Sequence, residues 1–483
     1  MLMTGDAYRD SIRDGREVWI NGERVEDVPA HPLFKPIVDV RARVYDMAHE
    51  DRYRDVMSYR DDKNESFCIA YKLPKTQADW HDKRAAVDAV MHDIGGMVVR
   101  IGDETVGELW SLWDGKDVLN ELDPRFGDNI ERHIYRVLEN DIFHVSANTD
   151  PKGDRSKLPQ EQDPDMLLHV VKETDAGIVV RGAKYETAAS YAHQAFVKPT
   201  IANWGDEKLS DYAVGFICPM NASGLKHICR TGFSGRGSAR DYPLTNRFDE
   251  IDALLVFDDV LVPWEDVLFY RHTRAASFIR STLHRYSAFA FTHRLQHLAD
   301  MMIGAALFNV RQTGLDKLQA VREKLAQLVC YRETINAHLT AAIAMAQPSP
   351  AGLLMPHQSL LYTGRVQACT KLPEMMHLTR ELCGGQICVT PDSAAFDDPD
   401  TAHWLEKFYT VNEFWSAEDR RRLLVFARDL LNSDYAGHRL TFELFAQSPP
   451  FKHLNDVFTS FDFSGPLDFV KHAARLSDRV MEQ

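Results

Sequence analysis

The runs LLHVVKET (167–174) and GIVVRGAKYE (177–186), and later DALLVFDDVLV (252–262), decide the fold class. Each is a short stretch of β-branched and other apolar residues bounded by turn residues, which is typical of a β-strand. Runs this closely spaced favour a small sandwich or barrel over a parallel sheet with crossover helices. The sequence therefore predicts a β-region between about residues 167 and 270, with further strands in QAFVKPT (194–200), YAVGFIC (212–218) and LKHIC (225–229).

The chain on either side of this region has the period of helices. VDVRARVYDMAHEDRYRDVM (38–57) and DNIERHIYRVLENDIF (128–143) space their apolar residues three and four apart. LDKLQAVREKLAQLVCYRETINAHLTAAIAMA (315–346) continues such a period without Gly or Pro, which predicts one long helix of an antiparallel bundle. Between the first helices and the strands, NTDPKGDRSKLPQEQDPD (148–165) predicts a long polar loop.

Helices, then strands, then helices predict an α+β chain that is mostly α. We place an N-terminal helical domain at 1–147, a β-barrel or β-sandwich at 148–272 and a C-terminal helical bundle at 273–483. By analogy, this order matches the acyl-CoA dehydrogenase-like architecture, in which a flavin lies between the β-domain and the bundle.

Composition excludes several classes of protein. The chain has 483 residues, 45% of them hydrophobic and 26% charged, and a formal net charge of −15, which argues against disorder and against nucleic-acid binding. The N-terminus has acidic residues where a signal peptide has an apolar core, and no apolar run reaches about 18 residues. The seven cysteines include no CxxC pair and suit reduced thiols. We expect a cytoplasmic enzyme without a membrane segment or a nucleic-acid partner.

Five blocks of the sequence resemble the 4-hydroxyphenylacetate 3-monooxygenase family. The LLVFDDVLVPWEDV block (254–267) and its distance from VVKETDAGIVVRGAK (170–184) are the specific features. The blocks run from near the first residue into the last hundred, so the resemblance covers almost the whole chain. The other three are TGDAYRDSIRDGREVWINGERVEDVPAHP (4–32), TDPKGDR (149–155) and ELCGGQICVTPDSAAF (381–396).

The resemblance implies the oxygenase component of a two-component flavin-dependent monooxygenase. Family hydroxylases take reduced FAD (FADH2) from a separate NAD(P)H:flavin reductase and react it with O2. The resulting flavin C4a-hydroperoxide hydroxylates a small phenolic or other aromatic substrate. Shared FAD sites in the family imply a homotetramer, and the lack of a Rossmann GxGxxG motif fits an enzyme that does not itself bind NAD(P)H. The sequence does not reveal which aromatic compound is the substrate.

The alternative is the family's second branch, 4-hydroxybutyryl-CoA dehydratase. Its iron–sulfur cluster is held by three cysteines and one histidine, and such clusters need thiolate ligands. Met97 and Ile101 stand where cysteines are expected, and HRYSAFAFTHRLQH (284–297) contains no cysteine. A lyase of this type without the usual cluster cysteines is therefore the weaker hypothesis, as is a non-catalytic protein on the same scaffold.

Arg100 is the first candidate site residue. It lies in the otherwise apolar GGMVVRIG (95–102), where an arginine either binds an anion or reaches the surface at a helix end. By resemblance it matches an active-site arginine that stabilises a phenolate. Four residues later the family tends to have a tyrosine, whereas this chain has Glu104. The substrate is therefore expected to differ, by carrying an amine or by lacking a phenol in the usual place.

Histidines are candidates for the base that takes a proton from the substrate, because histidine titrates in the right range. The resemblance implies one histidine just before a T-x-P turn, here TDP (149–151). Ser146 aligns with that position, and His144, two residues earlier, either takes the role or caps a helix. A second family histidine matches His284 or His293, and the sequence does not decide between them.

His293 and His297 are four residues apart, so they share one face of a helix. That spacing can bind zinc, but no glutamate follows His293 and no third ligand is evident in the sequence. We therefore expect no metal.

The resemblance also implies residues that contact FAD. Gln162 and Arg155 belong to the polar loop, which in the family runs along the flavin ring, and Thr187 follows GAK where a hydroxyl reaches the ring. The alternative is a solvated loop and an ordinary strand threonine. Gly384 and Gly385 either allow close approach of a phosphate or simply cap a helix.

The helix EDRRRLLVFARDLLNSDYAGHR (418–439) contains five arginines, and three of them are further candidates: Arg420, Arg428 and Arg439. Such a basic run is most often a solvated face. By resemblance, Arg439 is the residue of the three expected to touch FAD.

Overall fold

The computed structural model describes residues 2–154, 156–199, 207–446 and 448–477. The predicted α+β class, with helices before and after a β-region, is confirmed. Among the described residues, no helix combines the length and apolar character needed to cross a membrane. The helices are α1 (Gly5–Ser11), α2 (Lys35–Met47), α3 (Arg54–Met57), α4 (Gln77–Ile94), α5 (Asp103–Asp114), α6 (Lys116–Leu119), α7 (Arg125–Asn140), α8 (Thr273–Thr282), α9 (His284–Gln312), α10 (Gln319–Ala344), α11 (Gln358–Cys383), α12 (Gln386–Val389), α13 (Ser393–Asp397), α14 (Pro399–Tyr409), α15 (Ala417–Asn432), α16 (Asp434–Phe445), α17 (Pro450–Ser460) and α18 (Ser464–Ala474).

The strands form two larger sheets and two short hairpins. They are β1 (Glu17–Ile20), β2 (Glu23–Val25), β3 (Ser58–Arg60), β4 (Ser66–Cys68), β5 (His144–Ala147), β6 (His169–Thr174), β7 (Gly177–Thr187), β8 (Gln194–Val197), β9 (Val214–Pro219), β10 (Leu225–Cys229), β11 (Asp252–Pro263), β12 (Val267–Tyr270), β13 (Gln347–Pro348) and β14 (Leu354–Met355). The six-stranded sheet has the order β2-β1-β10-β11-β7-β6, and the four-stranded sheet has the order β12-β9-β8-β5.

The two larger sheets pack as a sandwich. Phe216 on β9 and Phe257 on β11 meet edge to face, with 6.0 Å between their ring centroids. All six strands predicted between 167 and 263 are present. Wherever two of them are neighbours in a sheet, they run antiparallel. Of the two predicted forms, the described strands adopt the sandwich rather than a closed barrel.

Strands from the N-terminal region complete both sheets. β1 pairs in parallel with β10, and β5 pairs in parallel with β8. The sequence predicted neither strand, because each has only four residues and lies among helical patterns, whereas the equally short β8 lies among other β-rich runs. The division into domains at 147 and 272 stays a prediction, but the sheets draw on residues before the first boundary.

The C-terminal bundle is built on α9, α10 and α11. Lys324, near the start of α10, pairs with Glu381, near the end of α11, at 2.7 Å, so these two helices run antiparallel. The Tyr331 hydroxyl donates to the Ala368 carbonyl oxygen of α11 at 2.8 Å. The long helix predicted at 315–346 is confirmed as α10, preceded by a single 3₁₀ turn.

Glu250 connects all three regions of the chain. Its carboxylate, which is almost fully buried, accepts from the backbone N–H groups of Val99 and Arg100 at 2.9 and 2.8 Å. It also accepts from Nη2 of Arg439 on α16 at 2.8 Å. Because a buried carboxylate is costly unless it is paired and fully hydrogen-bonded, these donors fix where Val99 and Arg100 lie.

We expect the substitution Glu250→Gln to lower the free energy of unfolding by about 3–5 kcal/mol, because it leaves the buried Arg439 guanidinium without the nearer of its two carboxylate partners. Urea unfolding followed by circular dichroism measures the change. The control is Asp259→Asn, since Asp259 is exposed and also accepts two bonds from an arginine, Arg181, at 2.9 and 3.0 Å. The control is expected to cost less than about 1 kcal/mol. Equal losses in the two variants would contradict this role for Glu250.

Candidate active site

A cluster of buried charged side chains lies where the β-sandwich meets the helices. Arg100 is at its centre, in the segment that joins α4 to α5. Helix α4 ends at Gly95, which adopts the left-handed conformation that favours glycine (φ +63°). The chain then turns toward Glu250, which holds the Arg100 backbone. The local sequence GGMVVR thereby delivers a charged side chain into an apolar interior.

The Arg100 guanidinium is held by carboxylates. Its Nη2 lies 2.8 Å from Oε1 of Glu186 on β7, and its Nη1 lies 3.8 Å from Oε1 of Glu104 on α5. The ring of Phe291 on α9 lies 5.7 Å from the guanidinium carbon. Strand, helix and loop thus converge on one cation, and only about 10% of the Arg100 side chain is exposed.

The two glutamates beside Arg100 favour their protonated forms. Burial raises the pKa of Glu186 to about 8, against the opposing charges of Arg100 and Lys198. Burial and the adjacent Asp103 carboxylate raise the pKa of Glu104 above its usual range. The site therefore holds exchangeable protons near neutral pH, a property that is common at functional sites.

A second group of polar side chains adjoins Arg100 and Glu186. The Ser146 hydroxyl of β5 donates to Oε2 of Glu108 on α5 at 2.5 Å, and the Lys198 ammonium contacts both groups. Nδ1 of His284 lies 3.9 Å from Oε1 of Glu108. Burial lowers the pKa of Lys198, although Glu108 opposes this shift. The position aligned with the family's histidine is thus occupied by a serine in a hydrogen-bonded group.

His144 lies on the same face of β5 as Ser146, because strand residues two apart point the same way. Its Nδ1 lies 3.2 Å from the side-chain nitrogen of Gln194, while its Nε2 has no hydrogen-bond partner among the described residues and is fully buried. Burial, with smaller contributions from nearby cations, lowers the pKa of His144 to about 3. A neutral imidazole with one free nitrogen therefore faces the interior.

His284 and His293 lie on opposite faces of α9. They are nine residues apart, and at about 100° per residue this places them roughly half a turn apart. His284 adjoins Glu108, whereas Nε2 of His293 lies 3.0 Å from Oδ1 of Asp88 on α4. Burial lowers the pKa of His293 to about 4. Of the two histidines, only His284 lies beside the Arg100 site, and the choice of the catalytic histidine stays a prediction.

Arg439 also departs from expectation. Its guanidinium is buried and pairs with Glu250 at 2.8 Å and with Glu443 at 3.4 Å. A guanidinium enclosed by two carboxylates does not reach out to a cofactor phosphate, so the expected FAD contact is not supported. The other two candidate arginines are engaged as well: Arg420 donates to the Gln386 side chain and Arg428 donates to the Thr390 carbonyl oxygen.

The remaining candidates lie at the edge of the sandwich and at the end of α11. Thr187 ends β7, directly after Glu186, and its hydroxyl donates to the Asp252 carboxylate. Gln162 is half-buried in the polar loop, and Arg155 lies outside the described residues. No described atom lies within 4 Å of a Cβ built on Gly384 or Gly385, so the backbone at these glycines is open to a close approach.

Sequence reasoning missed three members of the cluster: Glu108, Glu186 and Lys198. Lys198 follows the apolar run QAFV, and Glu186 follows the alternating run of β7. A charged residue at an inward position of a predicted strand was the available signal. This signal is ambiguous in the sequence alone, because a shift of one residue in the register exchanges the inward and outward faces of a strand.

Comparison with known proteins gives a consistent result. The family model described as the 4-hydroxyphenylacetate 3-hydroxylase N-terminal domain matches residues 4–269, and the model of its C-terminal domain matches residues 274–475. These two matches cover most of the chain.

Individual relatives agree with these matches. The chain is 28% identical to the oxygenase component of 4-hydroxyphenylacetate 3-monooxygenase from Thermus thermophilus, over 100% of this chain and 99% of that protein. It is 30% identical, over 96% of this chain and 89% of the relative, to a Streptomyces globisporus monooxygenase of a carrier-protein-bound 3-amino-3-(3-chloro-4-hydroxyphenyl)propanoyl group.

The fold is also shared with a solved structure. The crystal structure of an oxygenase component of 4-hydroxyphenylacetate 3-monooxygenase complexed with FAD superimposes with a TM-score of 0.90. The match has 27% sequence identity and covers 98% of this chain and 99% of that one. From sequence, site and fold together, the chain belongs to the 4-hydroxyphenylacetate 3-hydroxylase family.

Proposed function

We propose that the chain is the oxygenase component of a two-component flavin-dependent monooxygenase that hydroxylates a phenolic substrate, using O2 and FADH2 supplied by a separate reductase. The observation that carries the proposal is Arg100, a buried cation with two carboxyl groups and an aromatic ring around it. The matched structure that contains FAD supports the choice of cofactor.

The residues present fit a flavin and a phenol. Nε2 of His144, Nε of Arg100 and Oε1 of Glu104 are buried and lack hydrogen-bond partners among the described residues. Because buried polar atoms are nearly always paired, such atoms indicate a ligand. Reduced FAD, when bound, reacts with O2 and supplies the electrophilic oxygen atom. We infer that Thr187, Gln162, Gly384 and Gly385 hold FAD, with Arg155 from outside the described residues.

We infer that Arg100 and His144 orient the substrate. A guanidinium stabilises a phenolate oxygen, and an ionised phenol is more reactive toward an electrophile at its ortho carbon. Nδ1 of His144 accepts from the Gln194 amide nitrogen, so in the neutral ring the hydrogen is on Nε2, which donates to the substrate oxygen. Glu186 holds the Arg100 guanidinium in place and keeps a proton at neutral pH. The burial of all three excludes water, which protects reactive species from hydrolysis.

The substrate class follows from the carboxyl groups near Arg100. Glu104 and Glu186 are both acceptors once ionised, so a substrate amine could pair with either of them. The Streptomyces relative acts on a group with an amine and a chlorinated phenol. We therefore include an amine-bearing phenol among the compounds to be tested.

The decisive experiment combines the chain with a flavin reductase, NADH, FAD and ¹⁸O2. A panel of 4-hydroxyphenylacetate, a 4-halophenol and a tyrosine-derived amine is assayed for products by mass spectrometry. We expect one ¹⁸O atom in the hydroxylated product. Arg100→Met is expected to lower kcat/KM on the order of 100-fold, and Arg100→Lys less. The reason is that Arg100 and the phenolate form a buried charge pair, and truncating one partner of such a pair costs about 2–5 kcal/mol.

The matched control for this experiment is Arg125→Met, since Arg125 is an exposed arginine paired with Asp123 and is expected to leave the rate unchanged. Production of hydrogen peroxide alone, without an oxygenated product from any phenol, would overturn the proposal. In that case bound iron, acid-labile sulfide and turnover of a CoA ester would favour the dehydratase alternative. The buried apolar side chains of Met97 and Ile101 argue against that outcome.

Protonation of Glu186 predicts a pH dependence of stability. Its pKa rises from an ordinary value of 4.5 to about 8 on folding, so between these values the folded protein holds a proton that the unfolded chain has released. Stability therefore falls as pH rises through this window, by at most about 1.4 kcal/mol per pH unit for this group. We expect Glu186→Gln to make the free energy of unfolding less dependent on pH between 5 and 8.

Urea unfolding at several pH values within this window measures the effect. Glu374→Gln is the control, because Glu374 is an exposed glutamate of α11 paired with Lys371 at 2.8 Å, and it is expected to leave the slope unchanged. A wild-type slope that Glu186→Gln does not alter would show that Glu186 is ionised in the folded protein.

We also propose that the chain forms a homotetramer in the cytoplasm. Its seven cysteines are free thiols, which suits a reducing compartment. Helices α17 and α18 expose six large apolar side chains, more than a monomer usually leaves open to water. They are Phe451, Leu454, Phe458, Leu467, Phe469 and Val470.

Light scattering after size exclusion is expected to give the mass of four 55.1-kDa chains. Phe458→Asp with Phe469→Asp is expected to reduce this mass, because it places charges in an apolar contact. Leu122→Asp, at an exposed leucine outside these helices, is the control. A wild-type monomer would refute the tetramer.

A further inference from the structure

A second cluster of polar side chains lies on the face of α9 that turns away from Arg100. His293 and His297 of α9 both point to Asp88 of α4. Their Nε2 atoms lie 3.0 and 2.8 Å from the same carboxylate oxygen, Oδ1. The three atoms that could bind a metal ion all lie within 4.8 Å of one another. The third ligand that the sequence did not reveal is therefore supplied by a neighbouring helix.

The orientation of the His297 ring is fixed by its other nitrogen. Nδ1 lies 3.1 Å from the carbonyl oxygen of His293, and a carbonyl oxygen only accepts hydrogen bonds, so Nδ1 carries a proton and donates it. In the neutral ring, Nε2 then presents its lone pair to the Asp88 carboxylate. Two acceptors facing each other at 2.8 Å repel unless a cation or a proton lies between them. Ligating histidines commonly donate their other ring N–H to a carbonyl in this way.

His293 makes a similar approach without a satisfactory hydrogen bond. Its side chain is about 1% exposed, and Nε2 has no well-formed hydrogen-bond partner among the described residues. One carboxylate oxygen thus faces two imidazoles, of which only His297 approaches it with hydrogen-bonding geometry. A single cation near Oδ1 would satisfy both rings at once.

The surroundings leave room for an ion to enter. The Asp88 side chain is about 47% exposed, whereas the two histidines are buried behind it. Arg84 is a competing cation that lies in the same cavity as His293. Its guanidinium donates to the side-chain oxygens of Gln296 at 2.9 Å and Asn336 at 2.6 Å, so it is directed to those amides and not to the carboxylate.

We propose that Asp88, His293 and His297 form a binding site for a divalent transition-metal ion, with zinc as the best match. Zinc binds imidazole nitrogen and carboxylate oxygen at about 2.0–2.2 Å, with water in the remaining position when the protein gives three ligands. Small rotations of the three side chains bring them to that distance. The ion would join α4 to α9 and stabilise the contact between the N-terminal helices and the bundle, on the side of α9 opposite to the substrate.

The test uses the full chain, freed of metal with a chelator and then dialysed. Zinc is titrated by calorimetry, and cobalt is added separately to record its visible absorption. We expect one zinc ion per chain, a cobalt spectrum typical of four-coordination and a higher unfolding temperature with zinc. Asp88→Asn and His297→Gln are each expected to weaken zinc binding more than about 100-fold, since loss of a ligand exceeds the effect of losing a supporting bond.

His377→Gln is the matched control. His377 also faces a carboxylate on its own helix, Glu381, at 3.5 Å, but it is exposed and belongs to no described group of three metal-ligating side chains. Unchanged zinc binding in this variant, with loss in the other two, supports the site. Zinc that binds all four proteins equally, or none of them, overturns the proposal and leaves Asp88 as a hydrogen-bond acceptor for the two histidines. Circular dichroism confirms that each variant is folded.

Discussion

The arrangement of the active site depends on one buried carboxylate, that of Glu250. It accepts hydrogen bonds from the backbone of Val99 and Arg100 and from the side chain of Arg439. Taking a carboxylate out of water is costly, and only this full set of donors offsets the cost. Any displacement of the segment that carries Arg100 would break several charge-assisted bonds together. The position of the cation is therefore a property of the whole fold and not of its own loop.

The charges around Arg100 are better explained by function than by stability. Buried ion pairs are often no more stabilising than apolar residues of the same size. Here burial keeps Glu186 protonated near neutral pH, and a nitrogen of His144 has no hydrogen-bond partner among the described residues. A protein selected for stability alone would have replaced such groups. Their retention in a water-excluded interior fits a site that must bind an ionisable substrate and keep its protons in place.

The sequence predicted the elements whose signal is local. The spacing of apolar residues was sufficient to predict the strands of the β-region and α10, because it repeats along the chain. Strands β1 and β5 could not be predicted, since each is a four-residue run among helical patterns and its partner is remote in the chain. For the site, Arg100 stood out in an apolar segment. The structure places His293 beside Asp88, and Arg439 beside Glu250 and Glu443. The sequence could not show this, because the face of a helix that turns toward a site depends on packing and not on spacing.

Helix α9 shows how one regular element can serve two sites. His284 and Phe291, seven residues apart, lie on nearly the same face and adjoin Glu108 and Arg100. His293 and His297 lie on the other face and meet Asp88 of α4. A rotation of α9 about its axis would withdraw the aromatic ring from Arg100 and separate the histidines from Asp88 at the same time. The contact with α4 therefore restricts the rotation of α9, and so helps to hold the substrate side of the helix in register.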